Sequence, residues 1–243
     1  MKFEEDKSFW KDYFKTIPQI ASIPSLAKND EKKLSNKADR YDANLDKNLA
    51  TKINKYCKKN KISVFDFLLS IYSVYLKKAS NTEDFAIGTP ILNRTNFKEK
   101  NTTGMFVNTV PIRFNDFRNY PFIEFAKKNS ANMMRILRHQ KYSYAEVLED
   151  LRNLNKNTPN LYNIMLSYQI TKAFDKTIGN YLTSWSFNGY ITNDIDIHIL
   201  DINDTGNIGI SYDYLIRKYN LEDIKSLHER ITYIIDQVLK MKK

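Results

Sequence analysis

Apolar residues recur along this chain at two periods, and the periods sort it into helices and strands. Phe9 to Phe14 belongs to a short amphipathic helix that ends before Pro18, and Leu45 to Asn60 reads as a polar surface helix. Ser63 is placed to cap a helix over Val64 to Lys78. Phe65, Phe67, Leu68, Leu69, Ile71, Tyr72, Val74, Tyr75 and Leu76 make that helix apolar nearly all round, which predicts a central, buried position. Asp84 to Leu92 and Met105 to Phe114 read as strands, the second from the β-branched run Val107, Thr109, Val110 and Ile112. Pro121 opens a helix to about Arg138, with Phe122, Phe125, Ala126, Met133, Ile136 and Leu137 at helical spacing; a second runs from about Tyr144 to Leu154. Beyond Pro159, strands are expected over Tyr162 to Ile170, Tyr181 to Phe187, Ile195 to Asp201 and Ile208 to Tyr214, with Asp204 to Asn207 turning the last pair. A closing helix spans Leu221 to Lys240, its inward stripe made of Leu221, Ile224, Leu227, Ile231, Ile234, Ile235 and Val238. Strands mixed with helices throughout predict a layered α/β (α+β) domain.

Composition changes this picture little. A chain of 243 residues, 42% hydrophobic and 27% charged, can bury a sizeable core. The acids of MKFEEDKSFW do not suit a signal peptide, and the longest apolar run, Phe67 to Leu76, is too short for a bilayer, so a soluble protein is expected. Cys57 stands alone, which excludes an internal disulfide and a multi-cysteine metal site. The net charge of +10, with basic clusters at Lys55 to Lys61, Lys77-Lys78 and Lys240 to Lys243, would attract an acidic partner. No basic segment interleaves aromatics as a base-stacking platform does, so nucleic acid is not the expected one. The softest linker is Lys28 to Asn44.

Several chemistries are missing. The six glycines form no phosphate-binding cluster, G-x-S-x-G is absent, and the three histidines lack metal-site spacing. In the last hairpin, Ile195, Ile197 and Ile199 alternate with Asp196, His198 and Leu200. Folding it would bring His198, Ser211 and Asp213 onto one face, a Ser-His-Asp set by residue type. A flat sheet offers neither a strained nucleophile nor oxyanion donors, so a solvated polar face is expected there. His228 flanks the inward stripe of the closing helix, which suits a surface or boundary position.

The most specific segment is Gly104-Met105-Phe106-Val107-Asn108-Thr109-Val110-Pro111-Ile112-Arg113. Gly104 permits an unusual backbone conformation, and Asn108 sets an amide among apolar neighbours, where it must order a network, face a ligand channel or be satisfied within a core strand. About one helix later comes His139-Gln140-Lys141-Tyr142. Together these resemble two motifs of nonribosomal peptide synthetase condensation domains. Other segments match in order: Phe9-Trp10, the helix Val64 to Leu76, Ile87-Gly88-Thr89-Pro90 with Asn93-Arg94, Pro159 with Leu161-Tyr162, and the hairpin Ile195 to Tyr214. Lys141 and Ser143 stand where the family's His-Gln-Asp-Tyr-Pro-Phe motif has Asp and Pro. Asn108-Thr109 separates the chain from the epimerisation and heterocyclisation relatives.

The resemblance implies one lobe of the chloramphenicol-acetyltransferase-like (CoA-dependent acyltransferase-like) fold, a two-layer sandwich of mixed sheet and helices. It implies the C-terminal lobe over residues 1–243, because the family's His-His-x-x-x-Asp-Gly belongs to the N-terminal lobe. None of the three histidines here begins such a motif: Ser143, Ile202 and Thr232 stand four residues after His139, His198 and His228. The implied reaction joins a carrier-bound acyl donor to a carrier-bound amine. No cofactor is implied on the chain itself, since substrates arrive on the 4′-phosphopantetheine of carrier domains. Implied partners are the N-terminal lobe, the carrier domains and an adjacent adenylation domain, all cytoplasmic, with no membrane. Gly104 to Thr109 would line or floor the channel, with Arg113 closing the motif, while His139, Gln140 and Tyr142 would stabilise the helix junction beside it. Parts of Tyr181 to Ile199 would cross to the other lobe. The isolated chain would be inactive and would expose an apolar face. A stand-alone acyltransferase and a non-catalytic carrier-binding scaffold are the other classes left open.

Overall fold

A computed structural model describes residues 2–26, 35–118, 120–171, 186–202 and 207–241. In chain order they form α1 (Lys2–Tyr13), β1 (Ala38–Asn44), α2 (Lys47–Asn60), α3 (Val64–Ala79), β2 (Phe85–Ile91), α4 (Phe97–Lys100) and β3 (Asn108–Phe114). Then follow α5 (Phe122–Arg138), α6 (Tyr144–Leu154), β4 (Ile164–Thr171), β5 (Ile195–Ile202), β6 (Asn207–Leu215) and α7 (Leu221–Lys240). One six-stranded sheet runs β1-β6-β5-β4-β2-β3. Its β4 lies parallel to both β2 and β5, and the other pairs are antiparallel, so the sheet is mixed and the architecture α/β.

The helix ends follow from local hydrogen bonding. Ser63 Oγ accepts the Asp66 N–H at 2.9 Å, and Asp66 returns its carboxylate to the hydroxyl. Reciprocal capping boxes open α6 (Ser143 with Glu146) and α7 (Asn220 with Asp223), each satisfying backbone donors that the first turn leaves unpaired. The helix α2 begins on Asp46 and ends at Lys61 in the left-handed region, φ 55°. It is less of a surface helix than its polar residues predict, because Leu49, Ala50, Ile53 and Cys57 are buried.

Strand alternation divides the sheet into two unlike faces. Ile164, Leu166, Ile195, Ile197, Ile199, Ile208, Ile210, Tyr212 and Tyr214 are buried on one side and join the main core. There α3 packs against α5 and α7, α2 against β6, and α7 against β1. As its composition requires, α3 is central: Phe67, Leu68, Leu69, Ile71, Tyr72 and Leu76 are all buried. The Tyr72 and Tyr212 hydroxyls meet at 2.9 Å, and His228 of α7 reaches Tyr212 at 3.1 Å. His228 is therefore a boundary residue, and its burial holds the imidazole below its ordinary pKa. On the opposite face Gly88 lies under the Tyr162 ring, where a Cβ would stand 2.3 Å from a ring carbon, so no larger residue fits without moving the tyrosine.

The strand expected from Met105 begins instead at Asn108. The antiparallel register with β2 ends at the pair Ile91–Asn108, and the chain turns away at Asn93, in the left-handed region with φ 52°. Met105 to Val107 thus have no strand to pair with, whatever their β propensity. The expected strand Tyr181 to Phe187 falls mostly on residues 172–185, outside the described residues; Phe187 itself lies outside any strand. The turn at Asp204 to Gly206 also lies outside them. Among the described residues no helix is long and apolar enough to cross a membrane.

Candidate functional site

The first motif is a ledge built on one arginine. Arg94 donates from Nη1 to the carbonyls of Glu99 and Thr102 (2.6 Å to Thr102) and from Nη2 to Gly104 O at 2.8 Å. Its guanidinium also lies 4.2 Å from the Phe106 ring. Gly104 has φ +145°, a conformation that side chains rarely adopt, so the loop can leave this anchor and turn into β3. The ledge it carries is apolar and faces solvent: Met105 is 92% exposed and Val107 52%, with Leu92 and Phe97 exposed nearby. Asn93 Oδ1, at the root of the loop, is buried without a partner.

The second motif is clamped to the first by Asn108. Its Nδ2 donates to the carbonyls of Gln140 (3.0 Å) and Tyr142 (3.3 Å), and its Oδ1 accepts the Thr109 N–H at 2.9 Å. Lys141 adds a second tie, donating to Asn93 O and to Glu99 Oε1, each at 2.8 Å. Hydrogen bonding from Lys141 holds the Glu99 carboxyl low, at about 2. The residues that depart from the family pattern are thus employed here, Lys141 in this ion pair and Ser143 as the cap of α6.

His139 and Tyr142 turn away from the ledge. His139 Nδ1 meets Asp6 at 2.7 Å, its ring stacks 4.0 Å from Phe9, and its carbonyl accepts the Trp10 indole N–H at 3.0 Å. Tyr142 donates to Asp150 at 2.6 Å, and burial pushes its phenol far up. Arg113 is consumed in a two-point pair with Asp84 (2.7 and 2.5 Å) and in bonds to Tyr13 O and Thr16 Oγ1. These three residues hold α1, α6 and β3 together, while Asn108 bridges the two motifs directly. The outer edge of β3 is closed as well: Thr109 N–H is met by Asn108, Pro111 has no N–H, and Arg113 N–H is taken by Tyr13 Oη at 3.1 Å.

Away from the helices, β1, β6, β5 and β4 carry a transverse polar chain. Arg40 pairs with Asp213 through Nε (2.6 Å) and Nη2 (2.8 Å), Asp213 meets His198 Nε2 at 3.2 Å, and His198 Nδ1 meets Ser167 Oγ at 2.9 Å. His198, Ser211 and Asp213 do share a face, but Ser211 donates to Asp42 at 2.5 Å, and the serine beside the imidazole is Ser167. Parallel pairing of β4 with β5 brings Ser167 beside His198 from 31 positions away, a juxtaposition no local pattern encodes. Ser167 is 3% exposed within a continuous strand ladder, so it has neither access for a substrate nor free backbone donors for an oxyanion. Burial alone would raise the Asp213 carboxyl, but Arg40 and His198 hold it below its ordinary value. Its neighbour Asp196 is raised by burial. No group of three or more His, Cys, Asp or Glu that could hold a metal occurs among the described residues.

This open mixed sheet with packed helices is a chloramphenicol-acetyltransferase-like α/β fold, and solved condensation domains share it. The condensation domain of the monacolin K polyketide synthase MokA superposes with a TM-score of 0.80 at 21% identity over 98% of this chain and 57% of that one. For VibH, a nonribosomal peptide synthetase condensation enzyme, the values are 0.78, 18%, 98% and 54%. The chain belongs to the condensation-domain family, whose sequence profile, described as Condensation domain, matches residues 1–242. Surfactin synthase subunit 1 of Bacillus subtilis (strain 168) is 35% identical over 98% of the chain, and surfactin synthase subunit 2 of the same organism 25% identical over 96%. The chain spans 7% and 6% of these relatives' own lengths, and about half of the solved chains.

Proposed function

We propose that these 243 residues form the C-terminal lobe of a nonribosomal peptide synthetase condensation domain, and that they are inactive without the N-terminal lobe. The carrying observation is the Asn108 clamp, which fixes the apolar ledge Gly104 to Thr109 against Gln140 and Tyr142 at an exposed rim. Exposed apolar residues on an anchored loop suit a wall that another surface covers. No His-x-x-x-Asp-Gly occurs in the sequence, so the group that would act as base or position the amine must come from elsewhere.

In the parent reaction the amine of one carrier-bound residue attacks the thioester of the other. A C–N bond forms, the tetrahedral intermediate expels the thiol, and the amine proton leaves with it. The ledge lines the substrate channel, and the clamp keeps its floor in register with the helix junction. Both substrates arrive on phosphopantetheine arms, so the chain binds no cofactor of its own. Carrier domains are the partners that a +10 surface suits, with an adenylation domain adjacent in the same cytoplasmic assembly. The test is incubation with loaded donor and acceptor carriers: no amide is expected from the chain alone, and turnover without an added N-terminal lobe would overturn the reading.

A further inference from the structure

Two tyrosines and a histidine tie α7 to the centre of the core. Tyr72 of α3 (1% exposed) and Tyr212 of β6 (0%) meet hydroxyl to hydroxyl at 2.9 Å, and Tyr212 Oη lies 3.1 Å from Nδ1 of His228 on α7. Tyr72 Oη bonds to no other described residue, so the chain of hydroxyls ends there. At the other end His228 is half-buried and lines an open groove of about 470 Å³ with Glu229, Tyr233 and Asp236. Its Nε2 bonds to no described residue.

Such a row of atoms can pass its protons in two directions. Each hydroxyl has one proton to donate, and the imidazole nitrogen beside Tyr212 either accepts or donates. Run outward, Tyr72 donates to Tyr212 and Tyr212 donates to Nδ1, so every hydroxyl proton is bonded and the neutral ring carries its own proton on Nε2. Run inward, Nδ1–H donates to Tyr212, Tyr212 donates to Tyr72, and the Tyr72 proton is left in the core without an acceptor, which is costly. A protonated imidazole carries N–H on both nitrogens, so it forces the inward direction or breaks the bond. The groups around the ring do not reverse this bias. Tyr41 of β1 meets it edge-on at 6.2 Å, Tyr75 of α3 lies near Tyr212, and Asp39 of β1 is taken by Tyr214. On α7, Lys225 is paired with Glu222; Glu229 favours the charged ring, but burial opposes it and prevails. The lysines of α2, which also packs on α7, are exposed.

We propose that Tyr72, Tyr212 and His228 form a pH-sensitive latch: they hold α7 on α3 and β6 while the imidazole is neutral, and a proton added at Nδ1 reverses or breaks the chain and loosens α7 locally. The latch is read without carriers or substrate, so its failure leaves the condensation reading untouched. Long-range proton–nitrogen NMR spectra of the ¹⁵N-histidine-labelled chain report the tautomer of each ring, and His228→Phe assigns the signal by its loss. At pH 7.5 the neutral His228 ring is expected with its proton on Nε2. Amide hydrogen exchange, corrected for intrinsic rates, is then followed from pH 7.5 to 5. Over that range α7 should lose at least about tenfold more protection than α5 and α6, the factor that one pH unit of linkage supplies. Tyr212→Phe removes the donor to Nδ1 and should weaken the Nε2–H preference and raise the titration midpoint. Tyr72→Phe leaves Tyr212 free to donate and should keep the tautomer. A neutral ring protonated on Nδ1 would overturn the proposal, as would parallel loss of protection in α7, α5 and α6, which marks global unfolding. Equal midpoints in wild type and Tyr212→Phe would do the same, because burial alone would then set them. The wild-type tautomer and exchange pattern decide the matter even where a variant does not fold.

Discussion

The two faces of the β4–β5–β6 layer are built from the same strands by opposite means. On one, Ile195, Ile197 and Ile199 lie buried in the core beneath the helices, and removal of apolar area from water stabilises them without directional demands. On the other, Asp196 and His198 alternate with those isoleucines, Ser211 and Asp213 alternate with Ile210 and Tyr212 of the next strand, and stability depends on each polar group finding its partner. An apolar residue can be exchanged for another of similar volume at small cost. A member of the Arg40–Asp213–His198–Ser167 chain cannot, because its removal leaves charge or polar atoms unmatched on the next strand.

Substitutions one position apart in register break the two faces separately. Ile197→Ala, at 2% exposure, should cost about 2–5 kcal/mol in chemical denaturation, mostly from the cavity it leaves. Asp213→Ala should cost about 3 kcal/mol, the lower end for a broken buried pair, because Arg40 keeps 12% of its side-chain surface in water. Replacing Arg40 by Met and Asp213 by Leu together should recover much of that loss, whereas no partner change on the polar face should rescue Ile197→Ala. Additive costs in the double variant would show that the polar chain is not a coupled unit.

The smallest effect is one of pH. Burial depresses the folded-state pKa of His228 below its ordinary 6.5, so the unfolded chain binds the proton more readily. The stability this neutral imidazole supports is present above pH 6.5 and lost as the pH falls through the folded value. Denaturation midpoints measured from pH 7.5 to 5 should fall, and His228→Phe should flatten that slope. An unchanged slope would mean that other groups carry it.

Much of the fold was legible because its signals are local. Tyr144 to Leu154 and Leu221 to Lys240 match the observed helices to the residue, since apolar period and capping both act within a few residues of the chain. Ser63 caps α3 as expected, and that helix runs one residue past the expected Lys78, to Ala79. Of the site, Gly104 and Asn108 stood out by type, and the family resemblance joined them to His139 to Tyr142. The start of β3 was not legible, because a strand ends where its partner does, and β2 stops opposite Asn108. The anchoring by Arg94 and the Lys141–Glu99 tie were hidden too, because surface charges at these positions carry no periodic signal.

The sequence by itself determined the family, the order of elements and which residues are apolar enough to be inside, since these follow from side-chain type and spacing. Only the tertiary structure decided which polar atoms meet. It set Ser167 rather than Ser211 beside His198, spent Arg113 on Asp84, and left Asn163 Oδ1 and Arg217 Nε buried without partners. Hydrophobic burial is non-directional and can be read from composition, whereas a hydrogen bond exists only when two atoms far apart in sequence arrive within about 3 Å at the right angle.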